Sequence, residues 1–236
     1  MMLDLDAIVE QEVAAFRAEP DFERALPLGA AWLRLLAEDR PLTVPEFAAV
    51  LGWPEEDIAG ALTEHGVTAG DFGMAVSGGG DEVTVHDEGA AALPGYRIRW
   101  LDTGEVGGLP GCSDDALWAV FMAGRPARVE LPCPSTGRVV HVDLDAAGHA
   151  RDVDPPGAVA VMRRPDVDWS PRAWTRADCG DGLLFASEEV AAGWLSAHPK
   201  ATAVPVDFFV RVSRRKFEAL VAPTLRAGSR PPCSRA

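Results

Sequence analysis

Apolar side chains in the first forty residues recur at the three- and four-residue spacing of α-helices. The first set is Leu5, Ile8, Val9, Val13 and Phe16. A second set is Leu26, Leu33 and Leu36, and we expect the helical pattern to break at the prolines at positions 20 and 27. The spacing predicts two helices whose apolar faces pack into a core.

Residues 42–66 have the sequence signals of two short helices around a tight turn. Thr43 and Glu46 have the spacing of a capping box that begins the first helix. Gly52 is suited to end this helix, and Pro54 fits the first turn of the second. The arrangement resembles a helix-turn-helix, for which DNA binding is the obvious function. The second helix carries acidic residues and no Lys or Arg, which argues against contact with DNA.

Glycine is frequent between residues 66 and 108, and the sequence SGGGD at 77–81 predicts a hairpin tip or loop. This sequence lacks the GxxxxGK[ST] spacing of a phosphate-binding loop, so a flexible turn is the preferred interpretation. Alternating apolar and polar positions predict strands at 82–86 and 96–101.

The second half of the chain mixes predicted strands and helices without regular βαβ alternation. Helices are predicted at 114–123, 187–198 and 214–225, and strands at 127–131, 139–144, 159–162, 183–186 and 204–212. The pattern favours an α+β fold with a mixed or antiparallel sheet and flanking helices. We expect an N-terminal helical module at 1–66, an α+β core at 67–226 and a disordered tail at 227–236.

The composition of the chain argues against several classes of partner. The chain has 236 residues, of which 47% are hydrophobic and 25% charged, as in ordinary globular proteins. Its net charge of −14 argues against a nucleic-acid partner, because such affinity depends on Lys and Arg neutralising phosphates. No apolar run has the length of a membrane helix, and the acidic start MMLDLDAIVEQEV is unlike a signal peptide. We therefore expect a cytoplasmic protein without a membrane partner.

The four cysteines, Cys112, Cys133, Cys179 and Cys233, include no CxxC pair and are expected to be free thiols in a reducing compartment. Cys112 and Asp115 are three residues apart at the start of a predicted helix, a spacing that places both on one face. A thiolate is a strong nucleophile and soft-metal ligand, and a nearby carboxyl group can accept and return its proton. The alternative is that Cys112 is a buried packing residue.

Three stretches, spanning roughly residues 40–220, together resemble the organomercurial (alkylmercury) lyase family. The first is RPLTVPEFAAVLGWPEEDIAGAL at 40–62, in which a Trp-Pro pair opens the second helix. The second is Cys112-Ser113-Asp114-Asp115 followed by GRPARV at 124–129, Cys133 and Thr136-Gly137. The third is Cys179 followed by FAS at 185–187 and Trp194.

The resemblance implies a site made of Cys112, Cys179 and Asp115, because the register selects Asp115 and not Asp114. It implies a small organomercurial substrate whose carbon–mercury bond is cleaved by protonolysis. Hg(II) would remain on two thiolates, while Asp115 carries a proton from thiol to carbon, a task suited to a carboxyl group whose pKa an apolar pocket raises.

No organic cofactor is expected. Turnover would need an external thiol or a metal acceptor such as a mercuric reductase. Cys133 matches a position that is usually structural, and Cys233 lies in the tail, outside the family pattern.

Two alternatives to the lyase stay open at this point. A non-catalytic or divergent relative on the same fold could bind a soft metal ion or another organometal through the same cysteines. A transcriptional regulator could use the helix-turn-helix-like module, although the acidic second helix argues against it.

Overall fold

A computed structural model describes residues 4–18, 22–38, 40–69, 74–77, 84–87, 96–109, 113–164 and 182–226. The helices are α1 (Leu5–Arg17), α2 (Phe22–Ala37), α3 (Val44–Leu51), α4 (Glu55–Ala69), α5 (Ser113–Ala123), α6 (Glu188–Ala197) and α7 (Val206–Arg226). The strands are β1 (Met74–Ser77), β2 (Thr84–Asp87), β3 (Tyr96–Trp100), β4 (Val106–Leu109), β5 (Ala127–Pro132), β6 (Val139–Leu144), β7 (Ala150–Asp154), β8 (Val159–Arg163), β9 (Leu184–Phe185) and β10 (Ala201–Pro205).

The strands form antiparallel sheets, which confirms the predicted α+β class. The largest has five strands in the order β4-β3-β5-β6-β7. A second sheet has the order β10-β8-β9, and β1 pairs with β2 alone. Neighbouring strands in the five-stranded sheet are joined in part by short connections, as antiparallel pairing permits.

The five-stranded sheet buries one face, which follows from its alternating sequence. In β5, Ala127, Val129 and Leu131 are buried while the residues between them are only partly covered. Val140, Val142 and Leu144 of β6 are buried in the same way. Successive side chains of a strand point to opposite faces, so these positions form one apolar surface. Helix α5 contacts β3 and β5 of this sheet.

The N-terminal helices pack against the rest of the protein through α5 and α7. Helix α1 contacts α7, and α2 contacts both α5 and α7. The buried apolar residues of these helices belong to the same hydrophobic cluster as the sheet. The division of the chain near residue 66 stays a prediction, and the predicted tail lies outside the described residues.

The predicted strand at 204–212 is wrong. Strand β10 ends at Pro205, and α7 starts at Val206, well before the predicted helix start at 214. Apolar residues at 204, 206, 208, 210 and 212 alternate as in a strand. A helical pattern overlaps them, and the buried positions of α7 are Val206, Phe209, Val210, Val212, Ser213, Lys216, Phe217, Leu220 and Val221. The helical pattern prevails because it continues for four turns and buries this whole face.

Two local signals in the N-terminal half also differ from expectation. Pro27 lies inside α2 and does not break it. Thr43 precedes α3, but its side chain makes no capping hydrogen bond, and Glu46 forms an ion pair with Arg40 instead. Gly52 does end α3 in the left-handed conformation, with φ of 68°, as predicted. Most of the SGGGD sequence lies outside the described residues.

Leu144→Ala should destabilise the protein by about 2–5 kcal/mol, because it opens a cavity beneath the five-stranded sheet. Leu144 is only 1% exposed. Leu101→Ala is the matched control, since Leu101 is 45% exposed and its backbone hydrogen bond to Pro126 would persist; we expect a change within about 0.5 kcal/mol. Urea unfolding measures both, and equal losses would contradict the described burial.

Candidate functional site

Helix α5 carries Asp115, one of the three predicted site residues. The helix lies between the five-stranded sheet and helices α2 and α7. Its buried residues include Ala116, Leu117, Ala119 and Val120. Its first turn contains Asp114 and Asp115. Carboxylates in this position interact favourably with the positive end of the helix dipole. The first turn of α5 therefore places carboxyl groups next to an apolar interior.

Ser113, the first residue of α5, connects this helix to two other parts of the fold. Its side chain is buried, with 2% of the residue exposed. The hydroxyl group donates a hydrogen bond to the backbone carbonyl of Gly182, 69 residues further along the chain. The phenolic oxygen of Tyr96, on β3, lies 3.4 Å from the same hydroxyl. Ser113 thus joins α5, β3 and the segment before β9.

Gly182 has a backbone conformation and surroundings that only glycine fits. Its φ is +88°, a region that L-residues with side chains rarely adopt. A Cβ atom there would lie 2.7 Å from Ser113 Oγ and 2.9 Å from Phe209 Cζ. The Gly182 amide also donates to the carbonyl of Val161 on β8, at 2.5 Å. The backbone at Gly182 is consequently fixed on both its amide and its carbonyl side.

A buried ionic cluster lies at the first turn of α5. Lys216 of α7 places its Nζ atom 2.5 Å from Asp114 Oδ2 and 2.8 Å from Glu12 Oε2 of α1. The side chains of Lys216 and Glu12 are about equally buried, at 4% and 5% exposure, and that of Asp114 is 12% exposed. Three helices that are distant in sequence are therefore joined by one ammonium group.

The mutual interactions of the charged groups in this cluster shift the pKa values of Lys216 and Glu12. Burial alone would lower the pKa of Lys216, but the adjacent carboxylates of Asp114 and Glu12 outweigh burial and raise that pKa. Lys216 is therefore charged. Burial raises the pKa of Glu12, and Lys216 offsets this effect only in part because it faces two carboxylates.

Asp114 and Asp115 differ in their surroundings although they are adjacent. Asp114 is buried against Lys216, and its Oδ1 atom has no hydrogen-bond partner among the residues that the structure describes. Asp115 is half-buried. Successive residues of an α-helix point about 100° apart, so the two carboxyl groups face different directions.

Of the cysteines considered in the sequence, the structure describes Cys133. Cys112 and Cys179 lie outside the described residues. Cys133 is buried directly after β5, at 1% exposure, as expected for a packing thiol. Burial alone would raise the pKa of the Cys133 thiol, but hydrogen bonds with Thr136 and nearby backbone groups lower it. Within the described ranges, no three His, Cys, Asp or Glu side chains form a cluster that could hold a metal ion.

A small apolar cavity lies beside Ser113. Its volume is about 10 Å³, close to the lower limit for one water molecule. Its lining residues are Ser113, Leu117, Val129, Leu131, Val142, Leu184, Val206, Phe209 and Val210. A cavity with such walls favours apolar groups over water.

Together these features define an α+β protein with a candidate acid–base site at the N-terminus of one buried helix. The family model for alkylmercury lyase matches residues 103–218. An alkylmercury lyase of Streptomyces lividans is 30% identical over 192 residues, covering 80% of this chain and 81% of the relative. One from Staphylococcus epidermidis is 28% identical over 176 residues, covering 74% of each chain.

A solved structure of the mercury-bound form of MerB2 has a similar fold. Its TM-score is 0.58 at 13% sequence identity, and the match covers 91% of this chain and 99% of that one. The present chain belongs to the alkylmercury lyase family. This confirms both the family and the class of enzyme predicted from the sequence.

Neither the ionic cluster nor the Ser113–Gly182 hydrogen bond was predicted from the sequence. A signal for the cluster exists, because Glu12 interrupts the apolar face of α1 and Lys216 that of α7. Two opposite charges at buried helical positions indicate a buried pair. No comparable signal marks Ser113 and Gly182, since small polar residues and glycines are common in loops and helix starts.

Lys216→Met should destabilise the protein by about 3–5 kcal/mol, because it leaves two buried carboxylates without a cation. Burial raises the pKa of Glu12, and Lys216 opposes this effect, so without Lys216 the pKa of Glu12 rises further above its unfolded-state value. The loss of stability should therefore be larger at about pH 8 than at about pH 5. Chemical unfolding at the two pH values measures it.

The control for this variant is Arg215→Met, in the neighbouring position of α7. Arg215 is 56% exposed and pairs with Asp6 at the surface, so we expect little change at either pH. If both variants lose the same stability, the buried cluster does not have the role described.

Proposed function

We propose that this chain is an organomercurial lyase that cleaves a carbon–mercury bond with Cys112, Cys179 and Asp115. The observation that carries the proposal is the contact between Ser113 and Gly182. Ser113 follows Cys112 directly, and Gly182 lies three residues after Cys179. The contact supports a site in which both cysteines serve one substrate, although 67 residues separate them in the sequence.

The proposed reaction begins with capture of the substrate by one thiolate. The sulfur of one cysteine coordinates the mercury of the organomercurial and releases the thiol proton to solvent. Asp115 accepts the proton of the second thiol, whose sulfur then also binds mercury. Electron donation from two sulfurs weakens the carbon–mercury bond by increasing the electron density on carbon.

Protonation of carbon completes the cleavage. The Asp115 carboxyl group donates its proton to the carbon atom, and the electron pair of the carbon–mercury bond becomes the new carbon–hydrogen bond. The products are a hydrocarbon and Hg(II) bound to two thiolates. The proton and both electrons come from the protein thiol and the cleaved bond, so no organic cofactor is required.

The position of Asp115 supports its assignment as the acid. Asp114, in the same turn, is buried, and its Oδ2 atom lies 2.5 Å from the ammonium nitrogen of Lys216. A carboxylate fixed by a buried ammonium group is poorly suited to accept and return a proton. Asp115 is half-buried and faces a different direction, so it is the better candidate for contact with substrate.

Release of Hg(II) requires other thiolates, because both protein sulfurs are occupied by product. Two small thiols in exchange, or the cysteines of a mercuric reductase, would remove the metal and regenerate the site. A reducing compartment such as the cytoplasm would keep both cysteines as thiols. No helix in the described ranges is long and apolar enough to span a membrane.

The proposal predicts methane in the headspace when the reduced protein is mixed with methylmercury and excess small thiol. Cys112→Ser and Cys179→Ser should each abolish methane formation, because a hydroxyl group is a poor ligand for mercury. Asp115→Asn should lower the rate by about 10²–10⁴-fold, since it removes proton transfer while keeping the size of the side chain. Gas chromatography measures the product.

Matched cysteine variants provide the control. Cys133→Ala and Cys233→Ser also remove one thiol each, and both should keep methane formation near the level of the wild type. Stoichiometric mercury uptake by the wild type without methane would support the soft-metal binder instead. Full activity of Asp115→Asn would exclude that residue as the acid.

A further inference from the structure

The five-stranded sheet has a second face, opposite the one that packs against α5, and this face is polar. Its side chains alternate with the buried ones along β3, β5, β6 and β7. The strand register aligns them in two rows, which are Arg97, Glu130, His141 and Asp154, and Arg99, Arg128, Asp143 and Asp152. We call these eight residues the charged face. Each of them is exposed or half-buried.

The charges of this face are separated by strand. Both residues from β3 are arginines, and both from β7 are aspartates. Between them, β5 contributes Arg128 and Glu130, and β6 contributes His141 and Asp143. The face is therefore positive towards β3 and negative towards β7.

This separation places like charges side by side within one chain. Arg99 is in register with Arg128, and Asp143 is in register with Asp152. Like charges directly opposite each other on neighbouring strands are destabilising. Ion pairs from Arg128 to Asp143 at 2.6 Å and from Arg99 to Glu130 at 3.5 Å offset part of this repulsion. A partner with the reverse order of charges would offset more of it.

A second copy of the same face has this reverse order. Consider a two-fold axis parallel to the strands, midway between β5 and β6 and lying in the contact plane. It places β3 opposite β7 of the second copy, and β5 opposite β6. Each row then faces the same row in reverse. The facing pairs are Arg97 with Asp154, Arg99 with Asp152, Arg128 with Asp143, and Glu130 with His141.

All four of these pairs are complementary. Three join a guanidinium group to a carboxylate, the combination that gives strong, charge-assisted hydrogen bonds. In the fourth, an imidazole N–H can donate to the Glu130 carboxylate. The same axis places Pro132 opposite Val139 of the second copy, because these two residues are in register one step further along β5 and β6. Val139 is 42% exposed, so this apolar contact adds to the polar ones.

We propose that the charged face is the contact surface of a symmetric dimer of this chain. Four strands about 4.8 Å apart, each contributing about five residues at about 3.4 Å, present on the order of 300 Å². This is well below the roughly 800 Å² per partner of a stable interface, so the dimer is weak and reversible. Since α5 packs on the other face of the sheet, dimerisation leaves the first turn of α5 outside the contact.

Sedimentation equilibrium of the reduced protein tests the proposal, with reductant present so that no disulfide-linked dimer forms. A salt concentration of about 0.15 M gives a Debye length of about 8 Å. It screens the repulsion between two chains of net charge −14 more than it screens direct contacts. We expect the average mass to rise from 25.1 kDa towards twice that value as concentration increases. The measurement uses no mercury, so it is independent of the proposed reaction.

Two charge reversals make the test specific to this geometry. Arg97 is exposed, and the Asp154 side chain is 59% exposed with its own-chain neighbour Arg138 at 3.9 Å, so neither change should unfold the protein. Arg97→Glu alone places two carboxylates opposite each other at both ends of the interface, and Asp154→Arg alone places two guanidinium groups there. Each should raise the Kd for dimerisation by about 10-fold or more.

An equimolar mixture of the two variants should associate again. In the mixed dimer, Glu at position 97 of one copy faces Arg at position 154 of the other, and the second pair keeps its natural residues. Arg211→Glu is the matched control, because it makes the same change of net charge at a 57% exposed side chain of α7. It should dimerise like the wild type. Circular dichroism checks that every variant is folded.

The proposal is overturned if the wild type stays at the monomer mass at every concentration. It is also overturned if the single reversals dimerise like the wild type, or if their mixture stays as dissociated as each variant alone. Loss of association in Arg211→Glu to the same extent as in Arg97→Glu would show an effect of net charge and would exclude the facing pairs. Restored association in the mixture alone would support this arrangement of the two copies.

Discussion

The buried contact of Lys216 with Asp114 and Glu12 is the interaction on which the placement of α5 depends. It joins α7, α5 and α1 at one point through charge-assisted hydrogen bonds, which are stronger than hydrogen bonds between neutral groups. The surrounding contacts are apolar or weakly polar, such as the rings of Phe16 and Trp118 and the hydrogen bond from Trp118 to the Ser213 carbonyl. A buried ion pair has a strict geometry, whereas apolar packing tolerates small shifts. The cluster therefore fixes the rotation of α5.

Fixing that rotation assigns different tasks to consecutive residues. Ser113 faces Gly182, Asp114 faces Lys216, and Asp115 is left half-buried in a third direction. A rotation of α5 by one residue, about 100°, would exchange these positions and place Asp115 against Lys216. In this way the N-terminal helix α1, which carries no predicted site residue, contributes through Glu12 to the orientation of the first turn of α5.

Much of the fold could be predicted from local sequence patterns. The alternation in β5 and β6 predicts their buried faces, and the apolar spacing in α1 predicts its packing surface. The error at 204–212 arose because alternation and helical spacing fit the same residues. Only burial by α1, α5 and the strands decides between them. The short strands β4 and β7 were missed because glycine and exposed polar residues conceal their pairing.

The candidate site was less accessible to sequence reasoning, because its contacts are long-range. Asp115 could be selected by the spacing from Cys112, which is a local signal. By contrast, Lys216 and Asp114 are 102 residues apart, and Ser113 and Gly182 are 69 apart. Neither pair can be inferred from spacing, since both depend on how α7 and β8 pack around α5. Family resemblance identifies residues that share a reaction. It does not identify the contacts by which a particular chain holds them, because those contacts depend on the packing of elements that are distant in sequence.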